Sequence, residues 1–342
     1  MRPGERALRR MRVSVAWSAS ILSRMVVMLR ANQSGQAPGA AANASPGCEG
    51  NATPTPTELR LMPAALAGVW LVGGAAFVAH AQGGVVSPPG YTLVWADEFD
   101  RDGAPDPANW TYERGFVRNQ ELQWYQPENA RVEHGLLVIE GRRERKANPT
   151  YQAGATGWQR SREFAEYTSA SLTTRHMHEW QYGRFEMRAR IDTRAGLWPA
   201  FWTLGASGAW PANGEVDVME YYRGLLLANV AWGSAERGRA VWADTRRPVA
   251  SFGDSDWSSR FHVWRMDWDE DRIQLFVDDE RLNDVDLSKT IDRDGSGTSP
   301  FHQPHYVILN LAIGGTSGGD PSATAFPARF EVDYVRVFRK YN

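Results

Sequence analysis

The sequence predicts an all-β protein built as a two-sheet antiparallel sandwich. Three observations lead there. Gly (32), Pro (19) and aromatic residues (11%) are plentiful among the 342 residues, a turn-rich composition. The apolar runs are short and separated by Gly, Asp and Asn turns. Within several runs, apolar and polar residues alternate with a period of two, the spacing of a half-buried strand.

Residues 1–59 differ from the rest. An Arg-rich start (Arg2, Arg6, Arg9, Arg10, Arg12) leads into a short apolar patch and then a stretch rich in Ala, Ser, Asn, Thr and Pro. This is the composition of a disordered leader, or of sequence upstream of the true start. Leu61 to Val78 is an uncharged apolar run after Arg60, and Ala79-His80-Ala81 supplies the small-x-small ending of a signal-peptidase site. A membrane anchor is the alternative, which three glycines and a proline in the run weaken. The expected division is a leader over 1–59, a signal peptide over 60–81 and one folded domain over 82–342. The mature protein would then be secreted, periplasmic or held at the cell surface, with no membrane span of its own.

From Gln82 onward the strands follow in order. Tyr91 to Trp95 precedes Asp97-Glu98-Phe99-Asp100. Arg131 to Gly135 leads into Leu136 to Glu140. Tyr167 to Thr174 and Gly183 to Ile191 alternate, and Phe261 to Trp268, Arg272 to Val277, Tyr306 to Ile313 and Phe330 to Phe338 complete the set. There is no internal repeat, heptad or nucleotide-type glycine loop. His176 and His178 could share a face and touch a metal, but a loop pair beside Trp180 is the plainer reading. Asp97 and Asp100 lack the later ligands of a calcium loop.

Residues 1–81 carry eight Arg, no Lys and three Glu, so the rest of the chain holds 30 basic and 37 acidic residues and a net charge of −7. An acidic body gives no reason to expect nucleic acid or an anionic membrane as partner. The single cysteine, Cys48, lies in the leader. Disulfides, zinc-thiolate sites and cysteine nucleophiles are therefore excluded from the body.

The chemistry concentrates in Gly214-Glu215-Val216-Asp217-Val218-Met219-Glu220. Glu215 and Asp217 are two apart and share a strand face. Glu220 stands at an odd offset from Glu215 and would face the other way. One extra residue near Val218-Met219, a β-bulge, restores the parity and leaves Val216 with Val218 or Met219 to pack behind. Three carboxyls on one face equip a retaining glycosidase, whose nucleophile and acid/base stand about 5–5.5 Å apart. Such crowding pushes their pKa values apart, so that one carboxyl stays protonated near neutrality. The spacing alone is weak in so acidic a chain, and solvated acids on a sheet edge would explain it equally. Trp198, Trp202 and Trp210 lie just upstream, and flat indoles stack on sugar rings. Together they read as a sugar cleft.

These blocks make the chain similar to glycoside hydrolase family 16, on its laminarinase-like branch. The resemblance runs from Trp95 to Phe338, through Asp97-Glu-Phe-Asp100, Asn119-Gln-Glu-Leu-Gln-Trp-Tyr125, Tyr182-Gly-Arg-Phe-Glu186, Gly196-Leu-Trp-Pro-Ala-Phe-Trp202, Trp210 to Glu220, and Phe330 to Val337. It implies a concanavalin-like β-jelly roll with an open concave cleft. It implies Glu215 as nucleophile, Glu220 as general acid/base and Asp217 as the residue that tunes the nucleophile. Trp198, Trp202 and Trp210 would stack on sugars on the glycone side, and Arg175 would bond sugar hydroxyls. Asn119, Glu121 and Asn310 would border the cleft. A structural calcium is implied at the backbone oxygens of Glu98 and Gly135 with the Asp333 carboxylate, while the chemistry itself needs no cofactor. The partner is a polysaccharide or oligosaccharide, acted on by a monomer.

One segment departs from the family's pattern. Where laminarinases carry histidines after the catalytic strand, this chain reads Leu226-Leu-Ala-Asn-Val-Ala-Trp-Gly233. Asn229 and Trp232 are expected to take over that wall, and an insertion at Tyr151 to Glu166 to rim the cleft. The expected activity is endo-hydrolysis of a β-1,3- or mixed-linkage β-glucan. Hydrolysis of an agar- or porphyran-type galactan, transglycosylation, or glucan recognition without catalysis are the alternatives. Binders of this kind typically lose a catalytic acid; here all three remain.

Overall fold

Two eight-stranded sheets pack face to face. The computed structural model describes residues 85–293 and 297–341. The expected leader and signal peptide lie outside the described residues. One sheet runs in the spatial order Ala240–Ala243, Leu225–Gly233, Glu215–Tyr222, Leu197–Gly205, His305–Ile313, Ser171–Thr173 and Thr111–Tyr112, with Arg246–Pro248 also paired to Leu225–Gly233. The other runs Glu280–Asp286, Arg272–Val277, His262–Trp268, Gly183–Arg190, Ala328–Lys340, Leu136–Gly141 and Ala130–Glu133, with Tyr91–Asp97 on the long strand Ala328–Lys340. Every pairing within these two sheets is antiparallel.

Alternation builds the core between them. Phe185, Met187, Trp264 and Phe330 project inward from one sheet; Phe201, Val216, Met219 and Leu309 project from the other. Burying each large apolar side chain contributes about 1.5–3 kcal/mol. The remaining face of the first sheet is free to carry polar groups, and it holds the site.

Three elements differ from the sequence reading. Leu197–Gly205 is a nine-residue central strand that alternation does not reveal. Its inner side chains Leu197 and Phe201 join the core, while Ala200 and Trp202 pack outward against Tyr306 and Ile308. A strand apolar on both faces has no period to read, and Pro199 argues against an interior strand. Tyr167 to Thr174 is broken at Ala170. Tyr167–Ser169 pairs in parallel with Gln123–Tyr125, and Ser171–Thr173 joins the cleft sheet. Glu280–Asp286, a polar edge strand, extends the hairpin from Arg272–Val277.

Candidate active site

Glu215 opens its strand because Gly214 can make the turn before it. Gly214 has φ +77, and a Cβ there would come within 3.0 Å of Pro300 and Phe301. The strand then carries the expected bulge. Across one side Trp202 pairs with Asp217 and Phe201 with Met219; across the other Asn229 pairs with Asp217 and Leu227 with Glu220. Glu215, Asp217 and Glu220 therefore reach the cleft together, while Val216, Val218 and Met219 are buried in the core. Deleting Met219 would flatten the pairing and turn Glu220 inward. Activity should fall at least about a hundredfold, the usual worth of a general acid, as measured by reducing-sugar release. Full activity in the deletion variant would contradict this geometry.

Each outer carboxyl is held by an indole. Trp210 Nε1 donates to Glu215 Oε2 at 2.5 Å, and Trp198 Nε1 donates to Glu220 Oε1 at 2.8 Å. Burial raises the pKa of all three acids. For Glu215 the rise is opposed by the Trp210 N–H, by a hydrogen bond from Asp217 and by the charge of Arg118. Glu220 is pushed up to about 7, chiefly by burial, with the Trp198 N–H opposing and the Glu215 charge adding to the rise. Asp217 is pushed well above the usual carboxylate range, first by burial and then by the charges of Glu220 and Glu215. Asp217 Oδ2 is buried and receives no hydrogen bond from a protein donor. A protonated Asp217 resolves this, because its O–H then donates to a neighbouring carboxylate instead of repelling it. Burial thus raises all three carboxyls, with Glu220 poised near neutrality and Glu215 supported against the rise by the Trp210 N–H, the Asp217 hydrogen bond and the Arg118 charge.

The acids lie in a cleft of about 750 Å³. Trp202 and Asn310 face it from neighbouring strands, with Trp202 Nε1 donating to Asn310 Oδ1 at 2.7 Å. Asn310 in turn donates to the Tyr125 hydroxyl at 3.1 Å. Asn119 and Glu121 also border the cleft, and Glu121, buried and raised in pKa by that burial, accepts from Gln123 at 2.7 Å. Asn229 lines the cleft beside Asp217 and accepts from the Thr245 amide at 3.1 Å. Of the three upstream tryptophans, only Trp210 is broadly exposed, at 47%. Trp198 and Trp202 are each 7% exposed. Their N–H groups position polar partners more than their faces offer a platform.

Two expected residues stand elsewhere. Trp232 packs into the core. It lies three residues from Asn229 on a regular stretch of strand, an odd offset that puts the two on opposite faces. Arg175 does not line the cleft; its guanidinium lies 5.4 Å from the Tyr306 ring centroid. A different arginine takes a place in the cleft wall. Arg118 lines it, pairs with Glu113, and sets its guanidinium 4.9 Å from the centroid of Trp202. Tyr222, Trp242, Asp244 and Arg246 also face the cleft and were not anticipated. Their signals were Tyr222 two residues past Glu220 and the i, i+2, i+4 spacing of the other three.

The calcium set does not present a free anion. Asp333 accepts from Arg188 Nη1 at 2.6 Å, and the Glu98 carboxylate holds Arg336 at 2.8 and 2.7 Å. Among the described residues no group of three or more His, Cys, Asp or Glu converges as a metal site. As they stand the Glu98 and Asp333 carboxylates form ion pairs. His178 stacks on Trp180 at 5.8 Å, as a loop pair would.

Comparison with known proteins adds the following. Residues 143–336 match the model of the family described as "Glycosyl hydrolases family 16". A beta-glucanase of Rhodothermus marinus is 38% identical over 277 residues, covering 73% of this chain and 86% of that protein. The catalytic domain of an endo-1,3-beta-glucanase (laminarinase) from Thermotoga petrophila RKU-1 superposes with a TM-score of 0.62 at 32% identity, covering 74% of this chain and 99% of that one. A structure from work on endo-acting O-glycanases of the human gut microbiota that initiate mucin breakdown gives a TM-score of 0.67 at 35% identity, covering 74% and 92%.

Proposed function

Because this chain belongs to glycosyl hydrolases family 16, we propose that it is an endo-acting β-glucanase cutting β-1,3- or mixed-linkage glucan with retention. The single observation that carries the mechanism is the bulged strand that turns Glu215, Asp217 and Glu220 to one buried face, where Glu220 is pushed up to about 7.

Glu215 is the nucleophile. Trp210 occupies its Oε2, which leaves Oε1 to attack the anomeric carbon. Glu220 is the acid/base. Trp198 occupies its Oε1, so Oε2 carries the proton delivered to the leaving oxygen as the glycosidic bond breaks. Asp217 donates its O–H to Glu215 and disperses the charge of the nucleophile. In the second half, Glu220, now ionised, takes a proton from water, which attacks the glycosyl-enzyme and frees Glu215. No cofactor takes part. The protein is proposed to act as a monomer, secreted, periplasmic or at the cell surface, after removal of residues 60–81 as a signal peptide. Among the described residues no helix is long and apolar enough to cross a membrane. Calcium at the main-chain oxygens of Glu98 and Gly135 with Asp333 is a separate proposal, and it requires Arg188 to release Asp333.

A galactan or mucin-type glycan is the second reading. The sheet wall from Leu226 to Gly233 carries no histidine, and the structure from work on O-glycanases that initiate mucin breakdown has a similar fold. The test is reducing-sugar release, with products sized, from laminarin, lichenan, agarose, porphyran, carrageenan and a mucin O-glycan preparation. Oligosaccharides from laminarin or lichenan are expected. Release from a galactan or mucin glycan alone would keep the mechanism and overturn the substrate; binding without release would favour a recognition module.

A further inference from the structure

Beyond the catalytic strand a second set of side chains faces the same cleft, and the mechanism above does not use it. Trp242, Asp244 and Arg246 alternate along the edge of the cleft sheet and all border the cleft, while Ala243 between them packs on the core. The register sets them in rows with the catalytic acids. Glu215 pairs with Ala231 and Ala231 with Trp242; Glu220 pairs with Leu227 and Leu227 with Arg246. This edge is two strands, or about 10 Å, from the acids. It lies on the side away from Trp198, Trp202 and Asn310, whose strands flank Glu215–Tyr222 in the other direction.

Folding does not account for these residues. Trp242 is 43% exposed, a large apolar surface that the core gains little from. Arg246 and Asp244 pair at 3.1 Å, with 62% and 45% of their side chains exposed, and a pair so open to water contributes little stability. A sugar ring would use all three. Its apolar face stacks on an indole, and its hydroxyls donate to a carboxylate and accept from a guanidinium.

We propose that Trp242, Asp244 and Arg246 form a subsite for a neutral hexose on the leaving-group side of the scissile bond. Trp242 is the platform, and the Asp244–Arg246 pair reads the hydroxyls. The proposal rests on the glycanase reading above and on the family resemblance, which implies Trp198 and Trp202 on the glycone side. The subsite bears on both half-reactions. In the first it holds the departing sugar so that its glycosidic oxygen meets Glu220. In the second, a sugar retained there competes with water for the glycosyl-enzyme, so its affinity sets the proportion of transfer to hydrolysis.

The experiment compares kcat/KM on laminarihexaose with kcat/KM on an aryl laminaribioside, whose leaving group is not a sugar, in wild type, Trp242→Ala and Trp242→Phe. The ratio of the two should fall about tenfold in Trp242→Ala, as expected for loss of one stacking contact, and recover most of the way in Trp242→Phe. Transfer products should decline in parallel. An unchanged ratio overturns the subsite, including the case where both rates fall together through damage to the fold. A wild type that cleaves neither substrate overturns the glucanase reading instead. The same ratio is then measured on an oligosaccharide and an aryl glycoside of whichever panel glycan is cleaved, with the same two outcomes.

Discussion

Glu215→Ala should lower turnover of the cleaved glycan by about 10⁴-fold or more, the scale on which removal of a nucleophile acts. Oligosaccharide binding should persist, because Trp210 and the other cleft walls are left in place. The alanine leaves a void where Oε1 stood, and a small anion such as azide can fill it. Azide should therefore restore turnover on an aryl glycoside and give a glycosyl azide of inverted configuration. Near-normal turnover in the variant would remove Glu215 from the mechanism. Loss of binding together with turnover would mean that the substitution had disturbed the cleft.

Glu220→Gln should lower kcat on the polysaccharide by about 10²–10⁴-fold, and it should change the pH profile in a defined way. Burial, with the Glu215 charge adding to it, pushes the Glu220 carboxyl up to about 7, so the proton needed for leaving-group departure is lost as pH rises through that value. In the wild type, kcat/KM should fall above about pH 7. At low pH it should fall as Glu215, itself raised by burial, takes up a proton. The glutamine variant has no titrating acid, so its alkaline limb should be absent. An aryl glycoside with a good leaving group needs little protonation, and its first step should suffer much less. An unaltered alkaline limb in the variant would move the acid role to another group, with the buried Glu121 the first to examine.

The catalytic strand was legible because its information is local. Alternation over Glu215 to Val218 sets the facing, and the odd offset of Glu220 demands a bulge, which the register then displays. The same parity rule, applied to Asn229 and Trp232, would have placed the tryptophan in the core from sequence alone. Leu197–Gly205 was hidden for a physical reason: with Phe201 in the core and Trp202 on the opposite, cleft-facing side, both faces are apolar and the period vanishes. Which arginine reaches the cleft depends on tertiary packing. Arg118 is drawn in by Glu113, which Ser171 of a distant segment also holds, and no spacing within the chain records that. Trp198 and Trp202 border the cleft, but their use as hydrogen-bond donors is visible only once Glu220 and Asn310 stand beside their indole nitrogens.

The central claim is that Glu215 forms a covalent bond with the sugar. Its most direct test is to inactivate the wild-type protein with a 2-deoxy-2-fluoro glycoside of the cleaved glycan and locate the added mass by peptide mass spectrometry. Fluorine slows release of the glycosyl-enzyme, so the adduct should accumulate, and it should map to the peptide carrying Glu215 and to that residue. An adduct on Glu220 or Glu121 would reassign the roles. No adduct, with the first-formed product inverted at its anomeric carbon, would contradict double displacement altogether.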